Sequence, residues 1–367
     1  MPILVFILIL TVLVLIHEAG HFFVAKKLGI KVEEFGFGLP PRAFGIKRGE
    51  TTYSINWLPI GGFVKLFGED KAGGGKVSKA KEEPIKDIKR AFFARPPWQR
   101  FLVVVAGVVM NFVLATVIVS YLFGVSGVPV QGDKVIVVDI AASSPAQEAG
   151  LSQGDTIVSV NNTPLTNPQQ LTDYTSRRLG EQLELVVEKK DGKTEVVSLT
   201  PRTDYPEGQG PMGVSVASNV EIKKYSWYEA PIIGVKESFK RSWLIINGLG
   251  QTISQMVTKG EVPQGVAGPV GIAQLTGQFV EVGPLAVLDL VAFLSLNLAI
   301  LNVLPIPALD GGRLFFIITE MITRRKVNQK FEGYAHAVGM IVLLGLIAFI
   351  TLNDIVRLFS GVPLLPK

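Results

Sequence analysis

An apolar run from Ile3 to Ile16 leads directly into His17-Glu18-Ala19-Gly20-His21. No other feature constrains the chain as much. Carried on through Phe22–Ala25, the run reaches the roughly 20 residues a helix needs to cross a bilayer. Between Ile3 and Ala25 the strongly polar side chains are Thr11, His17, Glu18 and His21. Each ionisable group inside a span costs roughly 2.5–3.5 kcal/mol on insertion scales, so three together call for a function. Residues four apart share a helix face, so both imidazoles can reach one metal ion. The glutamate, on the adjacent turn, can take a proton from a metal-activated water. The competing reading is a chance five-letter match, and that accident would also have to fall inside a spanning segment.

Composition narrows the metal chemistry. The chain has 367 residues, 48% of them hydrophobic, which describes several spans plus polar parts rather than one soluble domain. With no cysteine, disulfides, thiolate zinc sites and cysteine nucleophiles are excluded. The three histidines are His17, His21 and His336, so a third zinc ligand must be a carboxylate or His336. The net charge of +5 is modest, and 16 of the 36 Lys and Arg fall between Lys26 and Arg100. A bilayer explains that clustering without nucleic acid.

Four segments are apolar enough to span: Ile3–Ala25, Phe101–Phe123, Leu285–Leu304 and Ala337–Phe359. The positive-inside rule assigns the basic segments between the first two and between the last two to the cytoplasm. The chain then divides as a first span with the metal motif (1–25), a cytoplasmic loop (26–100), a second span (101–124), a polar module (125–217) and an amphipathic helix with connector (218–283). A third span (284–312), a second cytoplasmic loop (313–336) and a fourth span with the C-terminus (337–367) complete it. The fold class is a polytopic α-helical membrane protein of about four spans with an inserted extracytoplasmic α/β module. The N-terminus lacks a basic n-region and cleavage site, so the first span is expected to remain as an anchor.

Glycine-punctuated alternation over Phe44–Phe67 predicts a β-hairpin near the first helix, and Lys71–Lys89 reads as a linker. Strands are expected at Lys134–Ile140, Thr156–Val160, Leu183–Lys189 and Thr194–Leu199. A turn at Asn161-Asn162 and a helix at Pro168–Leu179 complete the module. Ile232, Val235, Phe239, Trp243, Ile246, Leu249, Ile253 and Met256 keep helical spacing, which predicts an amphipathic helix lying on the bilayer or against protein.

The third apolar run ends in Asn302-Val303-Leu304-Pro305-Ile306-Pro307-Ala308-Leu309-Asp310-Gly311-Gly312. Two prolines so close stop a regular helix, and an acid just beyond the break can turn inward onto a metal. Asp289 in the third span without a nearby break, Asp354 near the end of the fourth and Glu320 in the basic loop fit less well, and His336 opens the fourth apolar run at the interface.

These two motifs together resemble the site-2 proteases, intramembrane zinc metalloproteases with an Asn-x-x-Pro-x-Pro-x-Leu-Asp-Gly sequence. Gly107-Val108-Val109-Met110-Asn111-Phe112 is similar to the family's second-span motif, with Val108 where Pro is usual. Ser144–Asp155 and Ile157–Asn162 resemble a PDZ domain of the bacterial branch, and Gly268–Ile272 the segment before its third span. The resemblance implies zinc on His17, His21 and Asp310, with Glu18 as general base. It implies that Asn111, Asn302 and Pro305 contact substrate backbone, the bland alternative being that each Asn only satisfies a broken helix. Gly213 would belong to the peptide-carboxylate loop of a circularly permuted PDZ-like domain. Implied partners are single-span substrates such as anti-sigma factors or remnant signal peptides, the lipid bilayer and peptide C-termini. The implied location is the inner (cytoplasmic) membrane. A catalytically dead PDZ scaffold and a transporter are the competing classes; the first should have lost a ligand and the second should show repeated halves.

Overall fold

The computed structural model describes residues 2–69, 87–206, 209–259 and 266–360. They fall into two compact units, 1–122 with 226–367, and Phe123–Tyr225. Most of the expected linker Lys71–Lys89 lies outside the described residues.

In the first unit, α1 (Pro2–Lys27) carries the metal motif in its last third. At 1.5 Å per residue it is about 39 Å long, enough to cross a bilayer. Lys26 and Lys27 in its last turn oppose the helix dipole. Gly29, at φ +72°, closes it, with Ile30 N–H returning to Ala25 O at 2.9 Å. Helices α2 (Pro97–Val125) and α7 (Pro284–Val303) each begin on proline, where the missing N–H costs nothing. Together with Lys330–Phe359, these are four helices long and apolar enough to cross a membrane among the described residues.

Several boundaries differ from the sequence expectation. The hairpin runs from Val32, not Phe44: β1 (Val32–Arg48) and β2 (Thr51–Leu66) turn at Gly49-Glu50. Phe35 pairs with both Val64 and Tyr53, and Ile55 with both Phe37 and Phe44. Each strand therefore bends midway and the hairpin folds back into four short rungs. Pro40-Pro41 bends the first strand without ending it. Phe22 of α1 packs its ring 5.3 Å from Phe35 and 6.1 Å from Tyr53, seating this sheet on the metal-motif helix.

The loop expected at 313–336 is mostly helix. α8 (Asp310–Thr323) ends at Arg324, φ +55°, and α9 (Gln329–Phe359) is capped by the Asn328 side chain. Its charged first turns read as loop because they carry no apolar signal, but the N-cap begins the helix there. Before α7, α6 (Pro269–Val282) occupies the expected connector. The amphipathic helix α5 (Ala230–Lys259) packs on α2 and α7: Phe239 lies 4.9 Å from Phe112, and Arg241 pairs with Asp289 at 2.7 Å. Ile232, Phe239 and Trp243 remain largely exposed.

The second unit is an antiparallel sheet in the order β7 (Thr194–Leu199), β6 (Leu183–Glu188), β4 (Thr156–Val160), β3 (Val128–Ile140) and β8 (Val214–Lys223), with β5 (Thr163–Pro164) on β4. Asn161 and Asn162 both take positive φ between β4 and β5, a conformation their short polar side chains tolerate. Helices α3 (Pro145–Glu148) and α4 (Pro168–Ser176) are capped by Ser144 and Asn167. Val135, Val137, Ile157, Leu171, Leu183, Leu185 and Val187 form the buried core. β3 starts six residues before Lys134, and β8 is an element the sequence expectation lacked, although Val214, Val216, Val220 and Ile222 alternate along it. Tyr225 N–H donates to Phe123 O at 3.3 Å, so the unit begins and ends at one place.

Candidate metal centre

His17 and His21 are buried on one face of α1, their Nε2 atoms 3.1 Å apart. Asp310 reaches them as the first residue of α8, its Oδ2 2.8 Å from His17 Nε2 and 3.2 Å from His21 Nε2. One donor atom from each of the three lies within 4.8 Å of the others. No other such cluster occurs among the described residues.

The surroundings orient these rings for a metal. His21 Nδ1 meets Val103 O at 2.8 Å. A carbonyl can only accept, so Nδ1 carries the proton and Nε2 keeps a free lone pair facing the cluster. Asn111 Nδ2 lies 3.3 Å from His17 Nδ1, while Asn111 Oδ1 is buried without a partner. With its amide turned over, Asn111 would accept from a protonated His17 Nδ1, ending that orphan and freeing His17 Nε2 as a lone pair. Two imidazole nitrogens and one carboxylate oxygen are a donor set suited to zinc, with a fourth position left for water.

Close backbone approach makes the room. A Cβ on Gly107 of α2 would lie 2.5 Å from His21 Nε2 and 2.6 Å from His17 Cε1. A Cβ on Gly20 would strike Ala106 O. Glycine at both lets α1 and α2 touch where the histidines sit. Glu18, half-buried, accepts the Val64 N–H at 3.0 Å and so is tied to the hairpin. Glu69, just past β2, pairs with Arg313 of α8.

The competing acids are engaged elsewhere. Asp289 pairs with Arg241, Glu320 with Arg100 at 2.6 Å, and buried Asp354 accepts from Gly271 N–H at 2.7 Å, capping α6. His336 Nδ1 takes the Ala308 N–H at 3.0 Å. Asn302 lies buried with Nδ2 3.5 Å from His17 Nε2, and Pro305 sits exposed in the break between α7 and α8. In the second unit, a small cleft of about 70 Å³ lies between α4 and β8, lined by Leu171, Thr175, Met212, Val214 and Val216. Gly213, at φ +68°, is not among the lining residues and sits against Ser144. Sequence reasoning missed Val64, Ser295, which bonds Asn111 O at 2.8 Å, and the bond from Ala308 to His336.

Membrane-length helices around a His₂Asp cluster with a neighbouring glutamate define a membrane-embedded metallopeptidase. Residues 5–346 match peptidase family M50, and the chain belongs to that family, the site-2 proteases. A Clostridium acetobutylicum protein is 35% identical over 354 residues, covering 96% of this chain and 97% of its own. Zinc metalloprotease RasP of Geobacillus kaustophilus is 30% identical over 96% of this chain and 97% of its own. Regulator of sigma-W protease RasP of Bacillus subtilis is 29% identical, with 97% and 99% covered. A solved PDZ domain from a Listeria monocytogenes SdrC-like protein shares 23% identity over 24% of this chain and 93% of that domain, with a TM-score of 0.21. The protein is a zinc metalloendopeptidase, and the scaffold and transporter readings fall away.

Proposed function

We propose that His17, His21 and Asp310 hold the catalytic zinc, that Glu18 is the general base and acid, and that the substrates are single-span membrane proteins cut in or near their spans. The observation that carries this reading is the convergence of the three donors from α1 and α8 within 4.8 Å. Zinc bound there supplies a Lewis acid, lowering the pKa of water toward about 7 and polarising the scissile carbonyl. Glu18 takes one water proton as the water oxygen adds to the carbonyl carbon. It returns that proton to the amide nitrogen as the C–N bond breaks. Asn111 keeps His17 oriented, and Asn302 and Pro305 border the substrate's path.

The basic loops flanking the spans support a reading in which those segments are cytoplasmic, the second unit lies outside and the membrane is the inner one. The relative named for regulating sigma-W makes an anti-sigma factor the substrate class to try first. We read the second unit as PDZ-like: an edge strand, β8, beside a helix-walled apolar cleft suits an added peptide strand ending in a carboxylate.

Zinc analysis of the solubilised protein, with cleavage of a single-span peptide, tests the centre. We expect about one zinc per chain, as the donor set implies. Asp310→Asn should lower both zinc content and cleavage, and unchanged zinc would move the third ligand elsewhere. Cysteines at Arg325 and Ser176 of this cysteine-free chain should label from opposite sides; labelling from one side overturns the orientation.

A further inference from the structure

Ala308 holds a left-handed backbone, φ +82°, without being glycine. Such a conformation is strained for a residue with a Cβ and persists only where its surroundings over-determine it. It lies two residues before Asp310, in the break at 304–309 that ends α7 and aims α8 at the histidines.

What holds this turn comes from α9. The Ala308 N–H donates to His336 Nδ1 at 3.0 Å. Three residues further along the same helix face, Gly339 lets α9 close on Pro307: a Cβ there would lie 2.6 Å from Pro307 O. On the other side, a Cβ on Gly312 would lie 2.7 Å from Ile306 O. The turn is clamped between α8 and α9. Because Nδ1 accepts, the proton of the neutral ring sits on Nε2, which is buried without a partner. The ring stands 5.9 Å from that of Phe316 on α8. The ring thus leaves one nitrogen unpaired while the other satisfies a strained backbone amide.

We propose that His336 is a positioning residue for the proteolytic centre: by holding the Ala308 amide it sets where Asp310 stands relative to His17 and His21. His336 contributes no atom to the donor cluster. Its effect passes through the backbone from Ala308 to Asp310. This rests on Asp310 being the third ligand, so Asp310→Asn belongs in the same experiment.

The test uses the purified full-length protein loaded with zinc. Zinc release to a chromophoric chelator is timed, and kcat and KM are measured on a single-span peptide. His336→Phe keeps a ring but no acceptor. His336→Asn puts an amide oxygen near the place of Nδ1, whereas His336→Gln reaches toward the place of Nε2. We expect His336→Phe to release zinc about tenfold faster, at the low end for residues that orient metal ligands, with kcat lowered and KM unchanged. His336→Asn should restore both and His336→Gln should not. In an Ala308→Gly background, where the positive φ carries no strain, the His336→Phe defect should shrink. Wild-type zinc release from His336→Phe overturns the proposal, as does a His336→Asn variant as impaired as His336→Phe, or an undiminished defect in the Ala308→Gly background. If Asp310→Asn releases zinc as slowly as wild type, the ligand reading fails instead, and the His336 result does not rescue it.

Discussion

The two units bury opposite things. In Phe123–Tyr225 the interior is aliphatic, with Val135, Ile157, Leu183, Leu185 and Val187 all fully buried. In the other unit many large apolar side chains of the spans point outward: Leu344, Val342 and Ile341 of α9 are more than half exposed. Much of what is buried between its helices is small or polar: Thr11, His17, His21, Ala106, Asn111, Ser295, Asn302 and Asp354. Water drives the first arrangement. In a bilayer the apolar face gains nothing by turning inward, so close backbone approach and interhelical hydrogen bonds hold the helices. The groups that cost most in a span are then the ones that join α1, α2, α7 and α8. On the reading proposed here, the same groups do the chemistry.

The comparison breaks most sharply at Glu18. Glu18→Gln should keep zinc but lose roughly 10²–10⁴-fold in kcat, the range for a missing general base. Normal turnover by a zinc-loaded variant would remove Glu18 from the mechanism. Gly107→Leu comes next. Its side chain must enter the space of both imidazoles, so zinc affinity should fall at least about tenfold, on the scale of lost ligand orientation. Full zinc occupancy in that variant would mean that α1 and α2 can separate, against the close packing seen.

One substitution at two places sharpens the contrast. Leu185→Ala in the second unit should cost about 2–5 kcal/mol, since Leu185 is fully buried. Leu344→Ala on α9, 58% exposed, should cost under about 0.5 kcal/mol in detergent. Differential thermal unfolding of the two variants reads this directly. Equal losses would show that α9 is buried by a partner. Neither change should alter zinc content.

How much was legible follows the same division. HEAGH and LDGG were readable because local helical spacing and a proline break dictate where their side chains go. Strands β4, β6 and β7 were readable because a one-sided core forces alternation. The link from Asp354 to Gly271 and that from Ala308 to His336 were not. Each joins residues distant in sequence through one backbone N–H, and a backbone donor leaves no trace in residue type. The hairpin's start was hidden for a related reason. Val32–Phe37 is a middle rung, and only its doubled pairing to Tyr53 and Val64 makes it a strand.

A small effect is also expected at a place that follows neither rule. Glu50 closes the β1–β2 turn and pairs with Lys26 of α1 and with Arg90, both at 2.7 Å. Arg90 first, then Lys26, hold its carboxyl down at about 2. An unfolded glutamate titrates near about 4.3, so the folded pKa is depressed. The stabilisation is therefore complete above about 4.3 and is lost as pH falls toward 2. All three side chains are roughly a third exposed, so solvent screening limits the contribution to about 0.2–1 kcal/mol. Glu50→Gln should lower the unfolding temperature slightly at pH 7, and the difference from wild type should narrow below pH 4 and in high salt. A difference that stays constant from pH 7 to pH 3 would mean that Glu50 acts by packing. The turn would then belong with the buried interior and not with the water-facing electrostatics assigned to it.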